Sequence, residues 1–205
     1  MSPCDCHEQA NQIAEKGVLR VLLVVNGVMF AVELAVGLLA ESTGLMADSL
    51  DMLADATVYG VALYAVGRSG KVKVRAARFS GWFQIALAAG VLFDILRRFI
   101  VGSEPESWLM MGIGLIALVA NVSCLLLLAK HRNGEVHMRA SWIFSKNDVI
   151  ANAGVILAGF LVYLSGTRWP DLAIGLVIAG FVLNGGIQIL RESAEADPCR
   201  GERSD

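Results

Sequence analysis

Six apolar stretches, each of about 20 residues, occupy most of the chain, and this length spans the hydrocarbon core of a bilayer as an α-helix. Of the 205 residues, 56% are hydrophobic and only 18% are charged, a balance that excludes a soluble globular domain. We therefore expect an all-α membrane protein with six transmembrane helices. They are predicted at residues 18–40, 44–66, 79–101, 108–129, 141–164 and 172–190.

The charges of the connecting loops alternate along the chain. Basic residues gather before the first segment, between the second and third, and between the fourth and fifth, whereas the other loops are short and mostly acidic. By the positive-inside rule, the basic loops and both termini are cytoplasmic. We predict a cytoplasmic tail at 1–16, a membrane domain at 17–193 and a short cytoplasmic tail at 194–205, without a cleavable signal peptide.

The second apolar segment carries three aspartates, Asp48, Asp51 and Asp55. Three ionisable residues near a bilayer centre together cost about 10 kcal/mol on insertion scales, and so large a cost implies a use. Offsets of three and seven residues place the carboxylates within a roughly 60° arc of one helix face, with Tyr59 on the same arc. The second helix is therefore expected to have one acidic face.

Asp51 and Asp55 are four residues apart, so their oxygens can converge on one divalent cation, which would cancel their mutual repulsion. The competing explanation is that some of these aspartates are protonated or paired with a buried arginine. Asp48, nearer the start of the helix, also fits an interfacial position. The spacing predicts half of a metal site.

The fifth segment supplies a matching polar face. Asp148 lies within it, Ser145 and Asn152 lie within about 60° of the same face, and Asn147 is about 100° away. Glu33 in the first segment is a further candidate, because a glutamate in hydrocarbon is functional by default, although hydrogen bonding to a neighbouring helix explains it equally well.

Two other groups of residues are expected to form an ion pair and a metal-binding cluster, respectively. Asp94 and Arg98 are spaced for an ion pair on the third helix, which would neutralise both. Cys4, Cys6 and His7 offer soft ligands for transient capture of zinc, cadmium or copper, against the alternative of an ordinary disordered terminus.

Three motifs together resemble the cation diffusion facilitator family of divalent-metal/proton antiporters: LMADSLDMLAD, MRASWIFSKND, and RWPDLAIGLVIAGFVLNGGIQILRES. The resemblance covers residues 17–193. It implies a homodimer without a cofactor, a metal site that includes Asp51, Asp55 and Asp148, and a fourth ligand at the position of Phe144. Phenylalanine cannot bind a metal, so water, Asn152, Ser145 or Asp48 would have to complete the shell. The chain is similar to short members that lack the cytoplasmic C-terminal domain.

The resemblance implies a multi-pass protein of a bacterial-type inner membrane that exports divalent cations by alternating access, with protons as counter-ions. Zinc is the first candidate cargo, and cadmium, cobalt, manganese and iron are alternatives, since an all-oxygen shell favours harder ions than one with imidazole. The runner-up function is a metal sensor or accessory protein that does not transport. An enzyme is not expected, because no histidine or serine motif accompanies Asp148 in the spans, and no nucleic-acid partner is expected.

Overall fold

The computed structural model describes residues 3–65, 70–129 and 136–195, and within these ranges the chain is α-helical with short connections and no β-strand. Side chains of residues 3–15, 65, 70, 73 and 136–144 lie outside the description. The helices are α1 (Pro3–Leu39), α2 (Thr43–Ala65), α3 (Gly70–Val101), α4 (Ser107–Ala129), α5 (Val136–Ser165) and α6 (Trp169–Glu195). The all-α prediction is confirmed.

Several helices extend beyond the apolar stretches that predict them. The first segment was predicted from residue 18, whereas α1 begins at Pro3, so the backbone of the expected N-terminal tail continues the first helix. The third and fifth helices likewise begin 9 and 5 residues before their apolar stretches, at Gly70 and Val136. Lys, Arg, Glu and Gln are good helix formers, so the helices continue outside the apolar region.

Five of these helices contain a segment long and apolar enough to cross a membrane. The exception is α2, because each 18-residue window within it contains all three aspartates. Large apolar side chains on the other helices face outward, among them Val24, Phe93, Leu126, Leu164 and Leu176. In water such a surface would be an aggregation hazard, whereas in a bilayer it faces lipid. The fold is that of an integral multi-pass membrane protein.

The helix α2 lies at the centre of the bundle and contacts all five other helices. From residue 43 to residue 64, only Tyr64 is exposed. Neighbouring helices therefore cover most of the surface of α2. This position explains how a helix with three aspartates is accommodated in an apolar bundle.

The connections at residues 40–42, 102–106 and 166–168 meet at one end of the bundle, which we call the loop end. The Glu106 amide donates to the Ala40 carbonyl at 2.9 Å, and Arg168 donates to the Phe99 carbonyl at 3.3 Å. Trp108 and Trp169, the latter stacked edge-on against Phe99, lie at the helix ends here. Tryptophans in this position are typical of a membrane–water interface.

The ion pair predicted on α3 is also at the loop end and is confirmed. Asp94 accepts from Arg98 at 2.6 Å and from Arg97 at 2.8 Å. Arg98 is buried, and its guanidinium also donates to the Glu41 carbonyl. The pair thus connects α3 to the turn between α1 and α2 as well as neutralising its own charges.

The N-terminus of α2 is capped from two places. Ser42, the N-cap residue, accepts from the Leu45 amide at 3.1 Å. Asp171, fully buried at the start of α6, accepts from the amides of Thr43 and Gly44 at 2.6 and 2.9 Å. With the Met46 amide bonded to the Ser42 carbonyl, every amide of the first turn has a partner. This end of α2 is thereby fixed to α6.

Close packing between α3 and α6 depends on two glycines. A Cβ atom added at Gly186 would lie 2.9 Å from the Gly81 carbonyl oxygen, a backbone atom that cannot move aside cheaply. A Cβ atom added at Gly81 would lie 3.0 Å from the Gly186 carbonyl oxygen. We call this contact the glycine seam. It brings the backbones of α3 and α6 into close contact.

Candidate cation site

Three carboxylates from two helices converge inside the bundle. Asp51 and Asp55 of α2 and Asp148 of α5 each place an oxygen within 4.8 Å of the others. Asp55 and Asp148 are 3% and 5% exposed, and Asp51 is half-buried. Oxygens at this separation can bind one divalent cation together. The structure thus brings together the three aspartates that both the spacing and the resemblance indicated.

The repulsion among these carboxylates is large because water is largely excluded from around them. Unit charges a few ångströms apart in a poorly polarisable interior repel by several kcal/mol, about 4 kcal/mol at 4 Å for an effective dielectric constant near 20. Within the described part of the chain, no Lys or Arg forms an ion pair with any of them. A cation or bound protons must therefore balance the cluster. The sequence-based alternative of pairing with a buried arginine is not what the described residues form.

Tyr59 extends the polar face of α2 as predicted. Its side chain is 1% exposed, and its hydroxyl donates to Asp55 Oδ2 at 3.2 Å. Tyr59 therefore orients the carboxylate of Asp55.

Asp48 takes part in a different interaction from the other aspartates. The Asn152 amide donates to Asp48 Oδ2 at 2.6 Å, and the Asn152 carbonyl oxygen accepts from Asn121 of α4 at 2.9 Å. All three side chains are buried. The amide oxygen of Asn152 is thus already occupied by a donor. This chain of hydrogen bonds links α2, α4 and α5 next to the cluster.

Two more candidate residues are buried without a hydrogen-bond partner among the described residues. Both carboxylate oxygens of Glu33 and the hydroxyl oxygen of Ser145 are in this condition. Glu33 is fully buried, and its charge interacts with those of Asp48 and then Asp51. An unpaired buried polar group costs about 1–3 kcal/mol, and more when charged. Glu33 is therefore a further buried acidic group beside the acidic face of α2.

A small cavity opens beside the cluster and includes two polar residues in addition to the three aspartates. Asn147 of α5 and Gln84 of α3 line it, together with Phe181, Val182 and Gly185 of α6. The sequence interpretation placed Asn147 near the site but overlooked Gln84. The sequence does show a single glutamine in an apolar part of α3. Which neighbouring helices this glutamine faces, however, cannot be assigned without knowing how α3 packs against α6.

The remaining sequence candidates lie outside the side chains that the structure describes. Cys4, Cys6 and His7 are on the first turns of α1, and Phe144 is on α5, one turn before Asp148. The metal-capture prediction for the Cys/His cluster therefore stays a prediction.

A lipid-facing helical bundle around an acidic cluster that has no ion pair among the described residues defines an integral membrane protein with a candidate site for cations. Comparison with known families agrees: residues 19–196 match the model of the cation efflux transmembrane domain. The chain belongs to the cation diffusion facilitator family of cation efflux proteins.

Curated relatives are distant. A cadmium, cobalt and zinc/H(+)-K(+) antiporter of Bacillus velezensis is 25% identical over 125 residues, which cover 60% of this chain and 40% of the relative. The metal cation efflux system protein CzcD of Cupriavidus metallidurans is 22% identical over 177 residues, 80% of this chain and 56% of that protein. The chain thus spans about half the length of the curated relatives it matches.

Proposed function

We propose that this protein exports divalent metal cations from the cytoplasm in exchange for protons. The observation that carries the proposal is the convergence of Asp51, Asp55 and Asp148 within 4.8 Å inside a membrane bundle. Ionisable groups inside a membrane-spanning bundle are costly, and they are found where ions or protons cross the membrane. Membership of a cation efflux family supports the same function.

The proposed exchange uses one site for both ions. Without metal, carboxylates at this separation hold one or more protons, because they cannot all be charged together. A divalent cation entering from the cytoplasm displaces these protons, and protons entering from outside later displace the cation. Rocking of helices would expose the site to each side in turn, as in other carriers with polar centres.

The residues have separate roles in this proposal. Asp51, Asp55 and Asp148 bind the cation, and Tyr59 holds the Asp55 carboxylate through its hydrogen bond. Asp48 and Asn152 form a supporting layer through their hydrogen bond, and they become ligands only if this bond breaks during transport.

Zinc is the first proposed cargo, with cadmium and cobalt next. Those metals are named for the antiporter relative, although that relative is only 25% identical. The oxygen-only cluster also suits manganese and iron, because harder ions prefer oxygen ligands. The relative's name includes potassium as well as protons, so potassium is a second counter-ion to test.

The proposed arrangement in the membrane has six spans, including α2, with both termini cytoplasmic in a bacterial inner membrane. Burial of α2 by the other helices supports its inclusion. A homodimer is proposed from the family resemblance alone.

Metal-dependent proton flux in proteoliposomes tests the proposed exchange. We expect uptake of Zn²⁺ coupled to opposite proton movement. In Asp51→Ala or Asp148→Ala the rate of Zn²⁺ uptake should fall by at least about 90%, and a tenfold fall corresponds to about 1.4 kcal/mol in the activation free energy of transport. Glu192→Gln, an exposed change on α6, is the matched control. Undiminished flux in the aspartate variants would reject the site.

A metal sensor that does not transport is the second candidate, because the family's fourth ligand position falls on Phe144. In that case the wild type would bind Zn²⁺ without flux, and Phe144→His would create flux. Flux by the wild type would exclude the sensor.

A further inference from the structure

Gln84 has the properties of a ligand that the sequence motifs do not reveal. Its side chain is 3% exposed in the middle of α3, and its amide oxygen Oε1 is buried without a hydrogen-bond partner among the described residues. It lines the same cavity as Asp51, Asp55 and Asp148. A buried acceptor with no donor, beside three carboxylates, lacks the positive partner that a cation would supply.

The chemistry of this oxygen suits the cluster. Amide carbonyl oxygens of Asn and Gln coordinate cations alongside carboxylates. Being neutral, the amide adds a ligand without adding to the repulsion among the aspartates. Asn152, which the sequence analysis offered as a replacement ligand, has its own amide oxygen bonded to Asn121. Among these two amides, Gln84 is the one with a free acceptor.

The glycine seam lies directly beside Gln84. A Cβ atom added at Gly186 would lie 3.1 Å from the Gln84 Cβ as well as 2.9 Å from the Gly81 carbonyl oxygen. Only glycine at position 186 therefore allows α3 to approach α6 this closely. The neighbouring Gly185 lines the cavity itself, so the missing side chain also leaves space beside Gln84.

We propose that Gln84 of α3 is the fourth protein ligand of the transported cation and replaces the ligand that the family places at the position of Phe144. The site would then draw its oxygens from α2, α3 and α5. This inference rests on the proposed function only in taking the cluster to bind metal. It makes α3 part of the site and gives the cation an all-oxygen shell.

Metal affinity of the purified protein is the first test. With Zn²⁺ and Mn²⁺ as probes in isothermal titration calorimetry, we expect Gln84→Ala to weaken binding about tenfold, which corresponds to about 1.4 kcal/mol. The matched control is Gln188→Ala on α6, where the glutamine is exposed and bonded to Glu192. Equal affinities in Gln84→Ala and the control would overturn the proposal.

A thiolate placed at the same position gives a positive signal that loss of folding cannot imitate. In a background with Cys4, Cys6 and Cys199 changed to Ser, we expect Gln84→Cys to gain a thiolate-to-metal ultraviolet band on addition of Cd²⁺. Gln188→Cys should gain none, and adding Asp51→Asn to Gln84→Cys should abolish the band. Absence of a band in a Gln84→Cys protein that elutes as the wild type does would reject the ligand role.

These outcomes separate the ligand assignment from the transport function. If Asp148→Asn abolishes metal binding while Gln84→Ala leaves the affinity unchanged, the carboxylate site is supported and the role of Gln84 as a ligand is rejected. If the Cd²⁺ band forms but proteoliposomes with the wild type show no metal flux, the role of Gln84 as a ligand is supported and the proposed transport function is rejected.

Discussion

The buried carboxylates differ from one another in their partners, and this difference predicts what each substitution does. Asp48 accepts a hydrogen bond from Asn152 and Asp55 accepts one from Tyr59, whereas Glu33 has no partner among the described residues. Replacing a paired group leaves its partner unsatisfied, but replacing an unpaired one removes a cost. Glu33 is thus the acidic residue whose charge the fold needs least.

For Glu33→Gln we expect an unchanged or higher melting temperature in detergent, because the substitution keeps the shape and removes a buried ionisable group that has no described hydrogen-bond partner. Zn²⁺ affinity should change little, because Glu33 is not among the three carboxylates that converge. Thermal unfolding and calorimetry measure the two effects. The exposed Glu192→Gln serves as control, and a lower melting temperature for Glu33→Gln would contradict this reading.

Individual helices were predicted well where periodicity was strong, and poorly where contacts between helices decide the outcome. The apolar stretches predicted six helices, residue spacing paired Asp51 with Asp55, and the family resemblance added Asp148 to them. Gln84 was overlooked, because its place beside the cavity follows from packing between helices, which has no local signal in the sequence. The capping role of Asp171 was not predicted, since capping of one helix by another has no local sequence signal.

The cap that Asp171 provides to α2 should be worth more than an ordinary surface interaction. We expect Asp171→Ala to lower the free energy of unfolding by roughly 2 kcal/mol or more, because two backbone amides and the Ser42 hydroxyl lose a buried charged acceptor. Asp171→Asn should have an intermediate effect. Unfolding in mixed micelles with increasing denaturing detergent measures this, and equal stability of Asp171→Ala and wild type would refute the role.

The glycine seam can be tested with two glycines of the same helix. Gly186→Ala should destabilise the protein, because its methyl group would press on the Gly81 backbone. Gly180→Ala should be neutral or stabilising, because nothing lies within 4 Å of a Cβ there and alanine favours helix. The same unfolding assay compares the two. Similar stabilities of both variants would show that the seam tolerates a side chain.

At the scale of the whole molecule, the number of spans decides the orientation of the chain. Five helices are long and apolar enough to cross a membrane, and α2 is a sixth span only if its aspartates are tolerated inside the bundle. An odd number of spans would place the termini on opposite sides of the membrane. Six spans place both on the side of the basic loops.

Cysteine accessibility in intact cells distinguishes these arrangements. A membrane-impermeant maleimide should label Glu104→Cys at the loop end from outside, whereas Lys71→Cys at the start of α3 should react only after permeabilisation. Both positions are exposed. Labelling of Lys71→Cys in intact cells would exclude the proposed orientation.

Because other helices surround α2 along almost its whole length, mutational tolerance should differ between it and its neighbours. A saturating substitution library should show alternating permissive and sensitive positions in α1 and α4, where one side meets acyl chains. In α2 this alternation should be absent from residue 43 to residue 63, so positions far from the aspartates should also be sensitive to substitution. Sequence drift within this family would then be slowest in the helix that looks least like a membrane span.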